Sequence, residues 1–182
     1  MINRDGTCTS LWQDIVTSYL PANKPDPHII YDVIIVGGGI TGISTALLLQ
    51  EAGKKCILLE ADNLCFGTTG GTTAHLNTLL DTPYTTISKN FTKEKAKQVA
   101  QSVQEAIDLI RHNITIYKID CGFEEAEALL FAQDEKQEKE LEDIRKAAID
   151  AGVDASYADG ISIPFDYKKV MRIKGQAKFI PT

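Results

Sequence analysis

The residues best placed to do chemistry are glycines. Gly37, Gly39 and Gly42 stand in a G-x-G-x-x-G spacing directly after the apolar run Val33 to Val36, and Glu60 closes a second apolar run, Cys56 to Leu59, 23 residues after Gly37. The chemistry this spacing serves is recognition of a pyrophosphate. The first glycine permits the tight turn off a strand, the second lets backbone approach the phosphates, and the third lets helix and strand pack closely. The N–H groups and positive end of the following helix then face the anion. An acid at the end of the second strand is placed to hydrogen-bond a ribose hydroxyl. Such a spacing recurs by chance in surface turns, but here strand, helix, strand and acid all occupy the places a dinucleotide-binding βαβ unit requires.

A second chemical stretch follows Glu60. Residues Gly67 to Ala74 read GTTGGTTA, rich in glycine and hydroxyl side chains and almost without anything to bury. Read blandly, this is a flexible surface loop. Read functionally, it is a second cradle, with backbone amides and threonine hydroxyls close to a ligand, leading into a helix or strand through Ala74-His75-Leu76-Asn77. The second reading is preferred, because the loop lies just past the ribose position, at the mouth of the crevice where open α/β sheets bind ligands.

The elements that must hold these loops can be read in order. Leu11, Trp12, Ile15 and Tyr19 have helical spacing and predict a short helix docked by Trp12, in a packing role. Pro21, Pro25 and Pro27 then predict an extended arm. Ile40 to Ala52 is apolar almost all round and predicts a helix buried between a sheet and another layer. Gly53 stops it, with Lys54 and Lys55 at its negative end. Beyond Asp81 the texture is helical. Val99, Val103, Ile107, Ile110, Ile114 and Tyr117 form one apolar face, Lys93, Lys97, Gln101, Gln104 and Asp108 a solvated one, with Thr92 as N-cap and Gly122 as stop. Ala128 to Ala132 predicts a strand, and Asp134 caps a helix, Glu135 to Ala151, whose inward stripe is Leu141, Ile144, Ala148 and Ile149. Further strands are predicted at Ser156-Tyr157, Ile161 to Phe165 and Val170 to Ile173. The mixed charges of DEKQEKELED are a solvated face, not a metal site.

Composition bounds the function. The 182 residues, 43% apolar and 24% charged, are those of an ordinary globular protein of one domain or a little more. A net charge of −6 lacks the basic surface a nucleic-acid partner needs. Cys8, Cys56, Cys65 and Cys121 are scattered without metal-ligand spacing, so no metal site is expected and a reducing cytoplasm fits. Cys56 is expected as a small core residue. No apolar run reaches the roughly 18 residues of a membrane span, and no export signal is legible.

YDVIIVGGGITGISTALLLQEAGKKCILLE followed by GTTGGTTAHL resembles the start of the FAD-dependent oxidoreductases of the D-amino-acid oxidase and glycine oxidase superfamily. It is most similar to a branch often followed by a Rieske iron–sulfur domain, whose members carry a Ser-x-Trp element like Ser10-Leu11-Trp12. The resemblance implies that Gly37, Gly38, Gly39, Ile40, Thr41 and Gly42 meet the FAD pyrophosphate. It places Glu60, with the adjoining Ala61, at the adenosine ribose, and Thr68, Thr69, Thr72 and Thr73, followed by Ala74, beside the flavin half. Some relatives attach flavin through a histidine in Gly-Thr-Thr-Trp-His. Gly70 and Gly71 stand where that Trp-His would be, so attachment there is not expected. His75 is read either as a local hydrogen-bonding residue or as a flavin neighbour, and His112 as a plain helix-surface histidine.

The fold class expected is α/β, a Rossmann-like FAD/NAD(P)-binding domain (parallel sheet, helices on both faces) with the beginning of an α+β substrate domain. The expected organisation is an N-terminal arm over residues 1–30, the FAD-binding portion with its long helix over 31–120, and a truncated substrate domain over 121–182. The chain is expected to be the N-terminal piece of a longer flavoprotein, without a Rieske Cys-x-His and Cys-x-x-His pair of its own. The expected activity is oxidation of an amine or amino-acid-like small molecule by hydride transfer to flavin. An NAD-linked dehydrogenase and a non-catalytic dinucleotide-binding fragment are the alternatives. Neither catalytic residues nor the electron acceptor are legible.

Overall fold

The computed structural model describes residues 8–15, 19, 25–26, 28–162 and 164–181. Pro21 and Pro27, which carry the expectation of an extended arm, lie outside them, as does Ile163. The chain divides into two compact units, residues 1–74 with 180–182, and 75–179. The division therefore falls after Ala74, and the long helix lies in the second unit rather than with the parallel strands.

In the first unit, α1 is the short helix Leu11–Ile15, β1 is Val33–Val36, α2 is Ile40–Glu51 and β2 is Cys56–Leu59. The β-branched run of β1 pairs in parallel with β2, Val33 opposite Cys56 and Val36 opposite Leu59. The register is pinned by a reciprocal pair at the strand entry. The Asp32 N–H donates to the Lys55 carbonyl at 2.8 Å, and the Lys55 N–H donates to Asp32 Oδ2 at 2.8 Å. α2 packs on both strands. It ends as expected, with Gly53 in the left-handed region at φ +77° and the Lys54 N–H closing on the Leu49 carbonyl at 2.9 Å.

Two expectations fail here. α2 contains no buried residue, and Cys56 is only half-buried, its thiol directed at the Lys54 carbonyl at 3.8 Å. Among the described residues the two-stranded sheet buries Ile35 but leaves Ile34 65% and Val36 83% exposed. A buried core position for α2 needs layers on both sides, and this unit supplies one.

The second unit is built on an antiparallel sheet of β3 (His75–Leu76), β4 (Glu124–Ala132), β5 (Ala155–Tyr157) and β6 (Lys169–Lys178), with β6 pairing all three others. Helices α3 (Tyr84–Asn90), α4 (Lys93–Tyr117) and α5 (Glu135–Ala151) supply the rest of the core. Tyr84, Ala100, Leu141, Ala148, Met171 and Ile173 are buried together. Both long helices start where the sequence predicts. Thr92 Oγ1 accepts from the Lys95 N–H at 3.1 Å and Asp134 Oδ1 from the Gln137 N–H at 2.8 Å.

Their ends and stripes need correction. α4 stops at Lys118, left-handed at φ +53°, four residues before Gly122. Ile116, Tyr117 and Ile119 are about half-exposed or more, so the helix has already left the core and burial no longer extends it. On α5 the buried line runs Leu141, Ala148, Ala151, while Ile149 lies one position off it and is exposed. No strand forms among the described residues of 161–165; instead Phe165 packs on Phe131, ring centroids 4.7 Å apart and planes tilted by 47°. β6 runs further than predicted, through Gly175 at φ +72°. There Lys174 and Gly175 together oppose Glu127, a bulge that lets the strand continue to Lys178. Among the described residues no helix is long and apolar enough to cross a membrane.

Candidate functional site

The glycine turn is built by close approach. A Cβ on Gly42 would lie 1.9 Å from the Gly37 carbonyl oxygen, and one on Gly38 would lie 2.3 Å from Leu64 Cδ2. Side chains at either position would force backbone or the Leu64 side chain aside. Gly37 leaves β1 at φ +104°, and its N–H donates to the Leu59 carbonyl at 2.8 Å, so the turn begins at the end of the parallel ladder. Gly39 is the N-cap of α2 and offers no side-chain cap, and the first turn of α2 contains no acid. The positive end of this helix is therefore left without a side-chain carboxylate of its own.

Glu60 does more than close β2. Its Oε2 accepts from the Gly38 N–H at 2.5 Å, and its Oε1 accepts from the Ala61 and Asp62 N–H groups at 2.8 and 3.0 Å. The acid thus ties the end of β2 to the glycine turn, bringing its charge to the backbone of Gly38. Cys65 adds a second tie, its N–H donating to the Gly38 carbonyl at 2.9 Å. Burial pushes the Cys65 thiol above its ordinary value, and the neighbouring Glu60 charge adds to the rise, so the sulfur stays protonated and unreactive near neutrality.

The threonine loop meets the glycine turn. Thr69 Oγ1 accepts from the Ile40 N–H, the first of α2, at 3.1 Å. A Cβ on Gly39 would come within 3.2 Å of that same hydroxyl. Thr72 Oγ1 accepts from the Ala74 N–H at 3.2 Å. Thr41, Thr68, Thr72 and Thr73 are exposed and Thr69 half-buried. Ala74 is buried with φ +63°, and Cys65 has φ +58°, so non-glycine residues in the left-handed region bracket the loop. His75 is exposed in β3, opposite Lys178, and His112 is exposed on α4.

The expected cradle residues thus fall into one neighbourhood at the start of α2: the turn Gly37 to Gly42, Glu60 with Ala61, and Thr69 of the second loop. What sequence reasoning missed is the scaffolding between them, Leu64 and Cys65, and the role of Ser10 and Gln13. Leu64 and Cys65 carry no motif. Ser10-Leu11-Trp12-Gln13, however, is a capping-box spacing, a signal that was present.

The arrangement suits a diphosphate. The turn is open to close backbone approach only because no Cβ is present, and the first turn of the helix behind it carries no acid of its own. Comparison with known proteins agrees. The profile of the DAO family, FAD dependent oxidoreductase, matches residues 32–164. The putative Rieske 2Fe-2S iron-sulfur protein YhfW of Bacillus subtilis is 33% identical over 150 residues, 82% of this chain and 30% of that protein. Gamma-glutamylputrescine oxidoreductase of Escherichia coli is 32% identical over 135 residues, 74% of this chain and 32% of that one. Among solved structures, L-amino acid deaminase from Proteus myxofaciens shares the fold with a TM-score of 0.72 at 17% identity, over 100% of this chain and 40% of that one. Glycine oxidase from Bacillus cereus does so with a TM-score of 0.56 at 18% identity, over 84% and 40%. The chain spans about a third of the length of the two curated relatives.

Proposed function

Since the chain belongs to the DAO family of FAD dependent oxidoreductases, we propose that it forms the FAD-binding portion of an enzyme that oxidises an amine or amino-acid-like small molecule. The observation that carries this reading is the junction of two loops at the start of α2, where Gly39 offers no side chain and Thr69 of the second loop reaches the Ile40 N–H behind the glycine turn.

In this reading Gly37, Gly38, Gly39, Ile40, Thr41 and Gly42 form the turn that meets the pyrophosphate, with the N–H groups of Gly37, Gly38 and Ile40 holding the turn to Leu59, Glu60 and Thr69. Glu60 and Ala61 stand at the adenosine ribose, with Glu60 also holding Gly38 in place. Its negative charge disfavours a 2′-phosphorylated nucleotide. Thr68, Thr69, Thr72, Thr73 and Ala74 line the flavin half. FAD, when bound, supplies the ring that accepts a hydride from the substrate carbon bearing the amine. The residues of this chain bind and orient; the substrate-facing groups are not assigned. Residues 31–120, which run across the division after Ala74, serve cofactor binding, and 121–182 begin the substrate domain. Two relatives whose names specify an amine or amino-acid substrate, the putrescine conjugate oxidoreductase and the amino acid deaminase, support that substrate class. The Rieske relative supports a C-terminal Rieske domain in the full-length protein. The scattered, unbridged cysteines support a cytoplasmic setting.

Titration of the purified protein with FAD and with NAD, followed by flavin fluorescence and by calorimetry, tests the cofactor. FAD binds and NAD does not; NAD binding in preference to FAD overturns the reading. For the substrate class, anaerobic mixing of the FAD-loaded full-length protein with a panel of amines and amino acids bleaches the flavin absorbance. An enzyme bleached only by alcohols or 2-hydroxy acids has been misassigned.

A further inference from the structure

α1 is held in place by something other than burial. It has five residues, none buried, and Leu11 and Ile15 are largely exposed. A helix this short has no stability of its own. Its fixed points are hydrogen bonds to a loop more than fifty residues away. The Ser10 hydroxyl donates to the Gly70 carbonyl, Trp12 Nε1–H donates to the Thr72 carbonyl at 2.8 Å, and the Gln13 side-chain amide donates to the Phe66 carbonyl.

Two of these donors are preset by a capping box. The Ser10 N–H donates to Gln13 Oε1 at 2.9 Å, and the Gln13 N–H donates to Ser10 Oγ at 3.1 Å. Each side chain thus uses its acceptor atom inside the helix turn, which leaves the Ser10 proton and the Gln13 NH2 to point outward at the loop. Packing is close as well. A Cβ on Gly70 would lie 3.0 Å from Gln13 Cγ and 2.7 Å from the Cys65 carbonyl oxygen.

The three captured carbonyls, of Phe66, Gly70 and Thr72, lie on both sides of Thr69, whose hydroxyl accepts from the first N–H of α2. The loop is bracketed by Cys65 and Ala74, both left-handed, a conformation that persists only where surrounding contacts determine it. We propose that Ser10, Trp12 and Gln13 form a clamp that fixes the Gly67–Thr73 loop against the start of α2, and are positioning residues for the dinucleotide cofactor. The inference rests on the FAD reading above for the identity of the ligand, but not for the existence of the clamp. The clamp works by orientation. With the Phe66, Gly70 and Thr72 carbonyls tied to α1, the loop is held with the Thr69 hydroxyl against the first N–H of α2. The cofactor then meets a wall that needs no ordering on binding.

The test is amide hydrogen exchange on the full chain without cofactor, followed by FAD titration of the same samples. The triple variant Ser10→Ala, Trp12→Phe, Gln13→Leu keeps the Trp12 position aromatic and removes all three donors. Peptides covering 66–74 exchange on the order of a hundredfold faster than in the wild type, given about tenfold or somewhat less for each lost bond. Peptides of β1 and β2, in the same unit as the loop, are unchanged, which shows that this unit still folds. FAD binds at least about tenfold more weakly, and the visible circular dichroism of bound flavin changes. Ser10→Thr alone, which keeps the hydroxyl and the other two donors, retains wild-type exchange and affinity. Unchanged exchange in the loop overturns the clamp. Faster exchange with unchanged FAD affinity and dichroism overturns its role toward the cofactor. If the loop responds while the wild type binds no FAD, the clamp holds and the FAD reading is what falls.

Discussion

The two units of this chain solve the problem of helix ends in opposite ways. In the second unit, α4 and α5 start under side-chain caps from Thr92 and Asp134, with acids Glu94, Glu135 and Glu138 in their first turns. Their positive ends are neutralised from within, and their apolar stripes close over Met171 and Ile173. In the first unit, α2 starts at Gly39 with no cap and no acid and buries none of its residues. Its geometry is fixed by hydrogen bonds at the loops, Glu60 to Gly38, Cys65 to Gly38 and Ile40 to Thr69. The scaffold helices α4 and α5 cap their termini from the adjoining residue, whereas α2 takes its terminal contacts from side chains 22 to 29 positions away.

The contrast predicts that the units respond to different lesions. Met171→Ala empties a fully buried position in the second unit and costs about 2–5 kcal/mol of stability. Denaturant unfolding followed on peptides of β6 shows the loss, while FAD affinity of the still-folded fraction is unchanged; an equal loss of FAD binding by folded molecules breaks the comparison. Gly42→Ala does the reverse. The added methyl meets the Gly37 carbonyl at 1.9 Å, overpacking costs about 1–3 kcal/mol, and FAD affinity falls by on the order of a hundredfold. Unfolding of the second unit stays as in the wild type.

The smallest effect is electrostatic and belongs to the second unit alone. Glu142 accepts from the Tyr157 hydroxyl and faces Lys146 and Arg145 at 3.3 and 3.4 Å. Partial desolvation raises its pKa, but the two cations outweigh it and hold the carboxyl below its ordinary value of 4.5. A pKa lower in the folded than in the unfolded chain gives stability that is present above about 4.5 and lost as pH falls through the folded value. Glu142→Gln therefore flattens the acid limb of the second unit's stability curve below that pH, with a small change at neutrality because the pair is partly solvated. An acid limb identical to the wild type removes Glu142 from the account.

Much of this was legible. The glycine spacing, both helix caps and the stop at Gly53 were all read correctly from residues within one turn of each other. The stripe of α5 was read correctly except at Ile149, where neighbouring apolar residues share a helix edge and only packing selects between them. The stop at Gly122 failed because a glycine permits a left-handed turn without requiring it; the chain turned at Lys118, where burial ended. Among the described residues of 161–165 no strand formed, and Phe165 packs on Phe131 instead.

The sequence by itself determined the local elements and the chemical character of the cradle, because caps, glycine turns and apolar periods act over a few residues and need no distant partner. Only the tertiary structure decided that Glu60 grips Gly38, that Thr69 reaches the first N–H of α2, and that Ser10, Trp12 and Gln13 hold the far side of the threonine loop. Those contacts join residues 22 to 60 positions apart. A side chain's donors and acceptors are written in its type, but which group they meet across such a span depends on where the fold carries the chain.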